Sequence, residues 1–204
     1  MKNIFKLALH LFLRVILVCL LSLMAVITLG TIGSSNGQIN PVVSVIFGVF
    51  YFIMLVYFFI LSAWTEGGKD NNRVAIGQST EMIYKGFLSA AIVVVPVVTV
   101  FILTHVFSDY QNNVMNVLNL IKFLFMWAGI YFTVPFTGGV STTTIELGAE
   151  TDPTSALIMT AILCAVYIIS WIGSGVGYIF GYKKISFIPK LMNKFFGVNY
   201  SSKN

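Results

Sequence analysis

Few side chains in this sequence have the chemistry that catalysis or transport uses. His10 lies in a basic N-terminal approach and His105 near the end of an apolar run. Cys19 and Cys164 fall inside apolar stretches, with no CxxC spacing and no histidine close in sequence. Hydrolysis or metal chemistry within a membrane needs clustered His, Asp, Glu or Ser. The chain has no HExxH pair, no glycine-lysine phosphate loop and no dinucleotide fingerprint. The expectation is a protein that is not an enzyme and takes no metal or cofactor, with both cysteines packing as small apolar groups. Transport has a different signature, an ionisable residue at mid-membrane. Lys122 is the one candidate, with Asn119 and Asn116 one and two turns before it. The three either line a cavity, or Lys122 snorkels to the headgroups.

Two further patterns concern contact rather than reaction. Gly173, Gly177 and Gly181 recur every fourth residue, and Ala161 and Ala165 extend the same ridge backwards. Small residues on one ridge let a second helix backbone come close, which is how helices associate where lipid removes the hydrophobic drive. The ridge meets either another subunit or copy, or the first or third helix of its own chain. The second pattern is a charged stretch containing Trp64, Gly67, Lys69, Asp70, Asn72 and Arg73, read as a loop between apolar runs. Glu66/Lys69 and Asp70/Arg73 stand three apart, so the stretch can pair its own charges. It is either a docking loop for a partner or headgroup, or a solvated connection.

The elements that must position these residues follow from composition. Of 204 residues 57% are hydrophobic and 9% charged, against about 25% charged in soluble domains; mean hydropathy is +0.90. So little charge cannot coat so much apolar surface, so the chain is an all-α integral membrane protein. Apolar runs predict helices near 8–32, 41–64, 82–107, 114–136 and 154–181, forming one transmembrane domain over 1–182 with a basic cytoplasmic tail over 183–204. Ser34 to Gly37 reads as a polar turn. Asn40-Pro41 and Asp152-Pro153 are helix-start signatures, and Pro96 predicts a kink. Leu191, Met192, Phe195 and Phe196, flanked by lysines, suit either a short interfacial helix or a disordered tail.

Charge then bears on the number of crossings. Net charge is +5, with the cations flanking apolar runs, which points to anionic lipid headgroups rather than nucleic acid. Five crossings with the N-terminus inside leave six basic residues on each side. If the weakly apolar 114–136 segment is instead re-entrant or interfacial, four crossings place eleven of the twelve inside. The positive-inside rule therefore favours four transmembrane helices plus a fifth apolar helix, with five crossings as the alternative.

The Trp64, Gly67, Asp70, Asn72, Val74 pattern and the closing stretch Gly177 to Ser186 resemble a group of small, uncharacterised polytopic membrane proteins of Gram-positive bacteria. That resemblance implies a bacterial cytoplasmic membrane and carries no activity. The functional expectation is a non-catalytic accessory, regulatory or immunity-type subunit, possible as a homo-oligomer or beside another membrane subunit. A small oligomeric transporter or channel is the alternative.

Overall fold

A computed structural model describes residues 2–32, 41–77, 82–108, 112–132 and 153–184. Among the described residues there are five helices: α1 (Lys2–Ile32), α2 (Pro41–Ala75), α3 (Lys85–Val106), α4 (Asn113–Met126) and α5 (Pro153–Tyr182), with a 3-10 turn at Ile130–Phe132 after α4. Among the described residues there is no strand. Four helices are long and apolar enough to cross a membrane. With 14 residues, α4 reaches about 21 Å, short of a hydrocarbon core of about 30 Å. Among the described residues the architecture is four spanning-length helices plus one shorter apolar helix.

The direction of each helix follows from its contacts. Arg14 of α1 donates to the Phe58 carbonyl of α2, while Tyr51 donates back to Leu21, so α1 and α2 are antiparallel. Gly173 meets Val56 and Ile60, and Gly181 meets Trp64, so α2 and α5 run parallel. Gly86 faces Tyr178 and Ser174, and the Phe101 ring lies 5.8 Å from that of Tyr167, so α3 opposes α5. The start of α1, the end of α2, the start of α3 and the end of α5 therefore share one end of the bundle. Lys6, Arg14, Lys69, Arg73, Lys85, Lys183 and Lys184 all belong to it.

The contact between α2 and α5 is the most extensive in the bundle. It is built on the glycine ridge, and the ridge is satisfied within the chain, by α2 rather than by the first or third helix. A side chain at Gly177 would run into the Ile60 backbone, one at Gly181 into Trp64, and one at Gly67 into the Tyr178 carbonyl. Ala161 and Ala165 are exposed and take no part. Gly86 and Gly175 do the same service between α3 and α5, against Tyr178 and Phe87. Large apolar side chains such as Leu13, Ile53, Val95 and Ile172 point outward, while small and hydroxylated residues such as Ala63, Ser89, Ser170 and Ser174 are inside. That inversion of the soluble pattern suits a lipid surround.

Several sequence expectations are corrected here. The charged stretch from Trp64 to Arg73 is not a loop, because α2 continues through it to Ala75. No proline interrupts it, its Glu66–Lys69 and Asp70–Arg73 pairs close along the helix, and Gly67 is held against α5. Likewise α1 begins at Lys2 rather than near 8, and α3 begins at Lys85 rather than 82. The fourth helix stops at Met126 instead of continuing to 136. The Ser34–Gly37 turn, Asp152 and the tail beyond Lys184 lie outside the described residues.

Because Gly177 faces backbone rather than a flexible side chain, Gly177→Leu is expected to destabilise the bundle by about 3 kcal/mol. Ala161→Leu, on the open part of the same ridge, should leave the unfolding midpoint in detergent unchanged. Denaturant or thermal unfolding of the two variants beside the wild type checks this, and equal midpoints for Gly177→Leu and wild type would refute the assignment.

Candidate functional site

Polar groups collect in two places, one at the charged end and one inside the bundle. At the charged end, Glu66, Asp70 and Arg73 follow i, i+4, i+7 spacing and so share one face of α2. That face meets Lys85, the first residue of α3, whose side chain is only 3% exposed. Asp70 accepts from Lys85 Nζ at 2.5 Å, from Tyr178 Oη at 2.8 Å and from Arg73 Nη1 at 2.9 Å. Glu66 lies 3.4 Å from Arg73 and 3.6 Å from both Lys85 and Lys69. Asn71 donates to the Tyr182 carbonyl, tying α2 to the last turn of α5. One carboxylate thus takes a donor from each of three helices.

About 20 residues of α2 suffice to cross the hydrocarbon, so the charged turns beyond Trp64 emerge from it. Burial pushes the Asp70 carboxyl up. Hydrogen bonds from Lys85, Tyr178 and Arg73, with the Lys85 charge, outweigh that and hold it below the usual carboxylate range. A carboxylate with a depressed folded-state pKa stabilises the fold above its unfolded value of about 3.9, and that contribution is lost as pH falls through the folded value.

The second collection surrounds the end of α4. Its start is capped by Asn112, whose side chain accepts from the Met115 amide. Its other end penetrates the bundle, with Trp127, Ala128 and Tyr131 all buried. A helix end buried in apolar surroundings has carbonyls without intrahelical partners, each of which needs a donor. Tyr167 of α5 donates to the Phe125 carbonyl at 2.7 Å, with Cys19 Sγ 3.8 Å from the same oxygen. Ser22 of α1 donates to the Trp127 carbonyl at 2.7 Å, and Tyr131 Oη returns a bond to the Ser22 carbonyl. Ser44 of α2 donates to the Tyr131 carbonyl, and the Tyr51 and Tyr131 rings stack 5.6 Å apart. Helix α4 therefore dips into the bundle, and hydroxyls from three other helices cap its unwound tip.

The residues singled out from sequence divide clearly. Lys69, Asp70 and Arg73 are brought together with Glu66. Gly67 and Trp64 lie on the α5 contact, and Asn72 is exposed. Asn116 is exposed, while Asn119 and Lys122 are half-buried and border neither of the clefts described below. Lys122 makes no ion pair among the described residues. Sequence reasoning missed Tyr178 and Lys85 as partners of Asp70, and the capping set Ser22, Ser44, Tyr131 and Tyr167. The available signal was hydroxyls recurring inside otherwise apolar runs, where lipid favours their bonding to other helices.

Two concave surfaces stand out among the described residues. A wholly apolar groove of about 430 Å³ runs between α1, α3 and α4, from Phe5 and Phe12 across Pro96 to Phe125. A polar cleft of about 170 Å³ opens between α1 and α2 at the charged end. Among the described residues no three His, Cys, Asp or Glu side chains gather where a metal could sit. Chemically, the charged cluster can hold helices together and present cations; its carboxylates are committed to donors.

Removing one partner from a buried pair leaves the other charge uncompensated, so Asp70→Asn is expected to destabilise the fold by about 3 kcal/mol. The wild-type unfolding midpoint should fall as pH is lowered from about 5 toward about 2, and Asp70→Asn should flatten that dependence. A variant that keeps the full acid sensitivity of the wild type would show that another group carries it.

Compared with known protein families, curated proteins and solved structures, the chain matches none, so its function rests on the geometry of its own residues.

Proposed function

We propose that this chain is a non-catalytic polytopic membrane protein acting by contact, as an accessory, regulatory or immunity-type subunit. The observation that carries this reading is the closure of two polar clusters, the α4 tip carbonyls and the Asp70 carboxylate, upon donors of the chain itself, while Ser89 Oγ and Trp127 Nε1 are buried without a hydrogen-bond partner among the described residues. The tip carbonyls of α4 are taken by Cys19, Ser22 and Tyr167, and Asp70 is taken by Lys85, Tyr178 and Arg73. In transporters built on broken helices such carbonyls and carboxylates hold the ion; here they hold the fold. Interaction then falls to the outer faces. The outward stripe of α5, with Ala161 and Ala165 between Leu157 and Ile168, offers another helix close approach.

The membrane is taken as a bacterial cytoplasmic membrane, with the charged end and hence the N-terminus inside. What supports that orientation is the positive-inside rule applied to the cations gathered there, against Lys122 alone on α4.

A small transporter or channel is the second reading, favoured by Lys122. It sits half-buried, partway along a helix that enters the bundle, without an ion pair among the described residues. Gentle extraction and native mass spectrometry separate the two. The contact reading expects a foreign membrane subunit at fixed stoichiometry, released by Ala161→Leu/Ala165→Leu while the fold persists. A chain found alone or only with copies of itself, with a liposome flux that Lys122→Met alters, would replace it with transport.

A further inference from the structure

The cleft between α1 and α2 holds more positive charge than the protein itself balances. It is lined by Lys6, His10 and Arg14 from α1 and by Ser62, Thr65, Glu66 and Lys69 from α2. Glu66 is the one carboxylate there, and its oxygens are shared with Arg73 and Lys85 behind it as well as with Lys69. Neither Lys6 nor Arg14 has a carboxylate within ion-pair distance among the described residues. Arg14 is held in place by the Phe58 carbonyl at 3.3 Å and by the Phe58 ring, 5.4 Å from its guanidinium carbon. One backbone bond leaves most of its fork of donors unused. Ser62 and Thr65 turn their hydroxyl protons to the carbonyls of Phe58 and Leu61, so the cations are the donors that face the cleft.

The same helix faces continue into apolar surface. On α1, Lys6, His10, Leu13 and Leu17 follow at four, three and four residues, and all four are exposed. On α2, Leu61 and Phe58 lie one and two turns deeper than Thr65. Cations at the membrane boundary above an open apolar seam match an amphiphile with an anionic head better than a soluble anion. A basic pocket between helix ends is also a recurrent headgroup site.

We propose that this cleft binds the phosphate of an anionic phospholipid, with Lys6, Arg14 and Lys69 as its donors and the α1–α2 seam beneath it receiving an acyl chain. The same phosphate chemistry is offered by a free anion, and the test distinguishes the two. The full chain is reconstituted in vesicles of phosphatidylcholine with increasing phosphatidylglycerol. Retained lipid is counted by native mass spectrometry, with and without millimolar inorganic phosphate. Lys6→Gln/Lys69→Gln removes two exposed cleft cations, and Lys183→Gln/Lys184→Gln removes two from the same end outside the cleft; unfolding midpoints confirm that both pairs fold.

The wild type should retain one phosphatidylglycerol per chain in preference to phosphatidylcholine, unaffected by inorganic phosphate. The cleft pair should lower that retention about tenfold or more, and the outer pair by far less. Equal loss in both pairs would reduce the effect to unspecific surface attraction and overturn the proposal. Displacement of the lipid by inorganic phosphate would give the cleft to a soluble anion, and it too would overturn the lipid assignment.

Discussion

The parallel approach of α2 and α5 is the constraint on which the rest of the bundle depends. In lipid, two helices gain little by hiding apolar surface from one another, so their affinity must come from contact area and from close backbones. Gly67 on one helix and Gly177 and Gly181 on the other remove the side chains that would keep those backbones apart. Everything else at the charged end is downstream of that distance. With α2 and α5 in contact, Asp70 reaches Tyr178, Asn71 reaches the Tyr182 carbonyl, and α3 is drawn in through Lys85 and Gly86. A buried ion pair contributes little net stability on its own, because its desolvation offsets its attraction. Here it sets which turns of three helices stand level.

The interior of the bundle solves the opposite problem. A helix that ends among apolar side chains strands its last carbonyls, and α4 does so. The donors come singly from different elements, Ser22 from α1, Ser44 from α2 and Tyr167 from α5. No one of them is a conspicuous residue, yet together they make a short helix inside a membrane bundle tolerable. This is why α4 can be too short to cross and still belong to the core.

The architecture was legible because lipid makes strict demands: apolar runs of a given length, few charges, and cations concentrated on one side. That the 114–136 segment differs from the four spanning helices was visible in Asn116, Asn119 and Lys122, which weaken its hydropathy, and in the balance of charge, but the end of its helix at Met126 was not. The Gly173–Gly181 ridge was legible as a site of close packing. Its partner was not, since a small-residue ridge records that something approaches and not what does. The continuation of α2 past Trp64 was hidden by Gly67 and Gly68, which lower helix propensity in water but here permit contact with α5. The meeting of Asp70 with Tyr178, more than a hundred residues apart, depends on helix directions that no local spacing encodes.

One consequence concerns the order in which the molecule can be completed. Tyr167 and Tyr178, which close the α4 tip and the Asp70 cluster respectively, both reside on α5, the last of the described helices to leave the ribosome. Until α5 inserts, the Phe125 carbonyl has only the weak thiol donor of Cys19, and α2 has no glycine ridge to rest on. Ser22 and Ser44 can receive the tip of α4 as it is made, but its Phe125 carbonyl must wait for Tyr167. Closure of both polar clusters is in that sense gated by the arrival of α5.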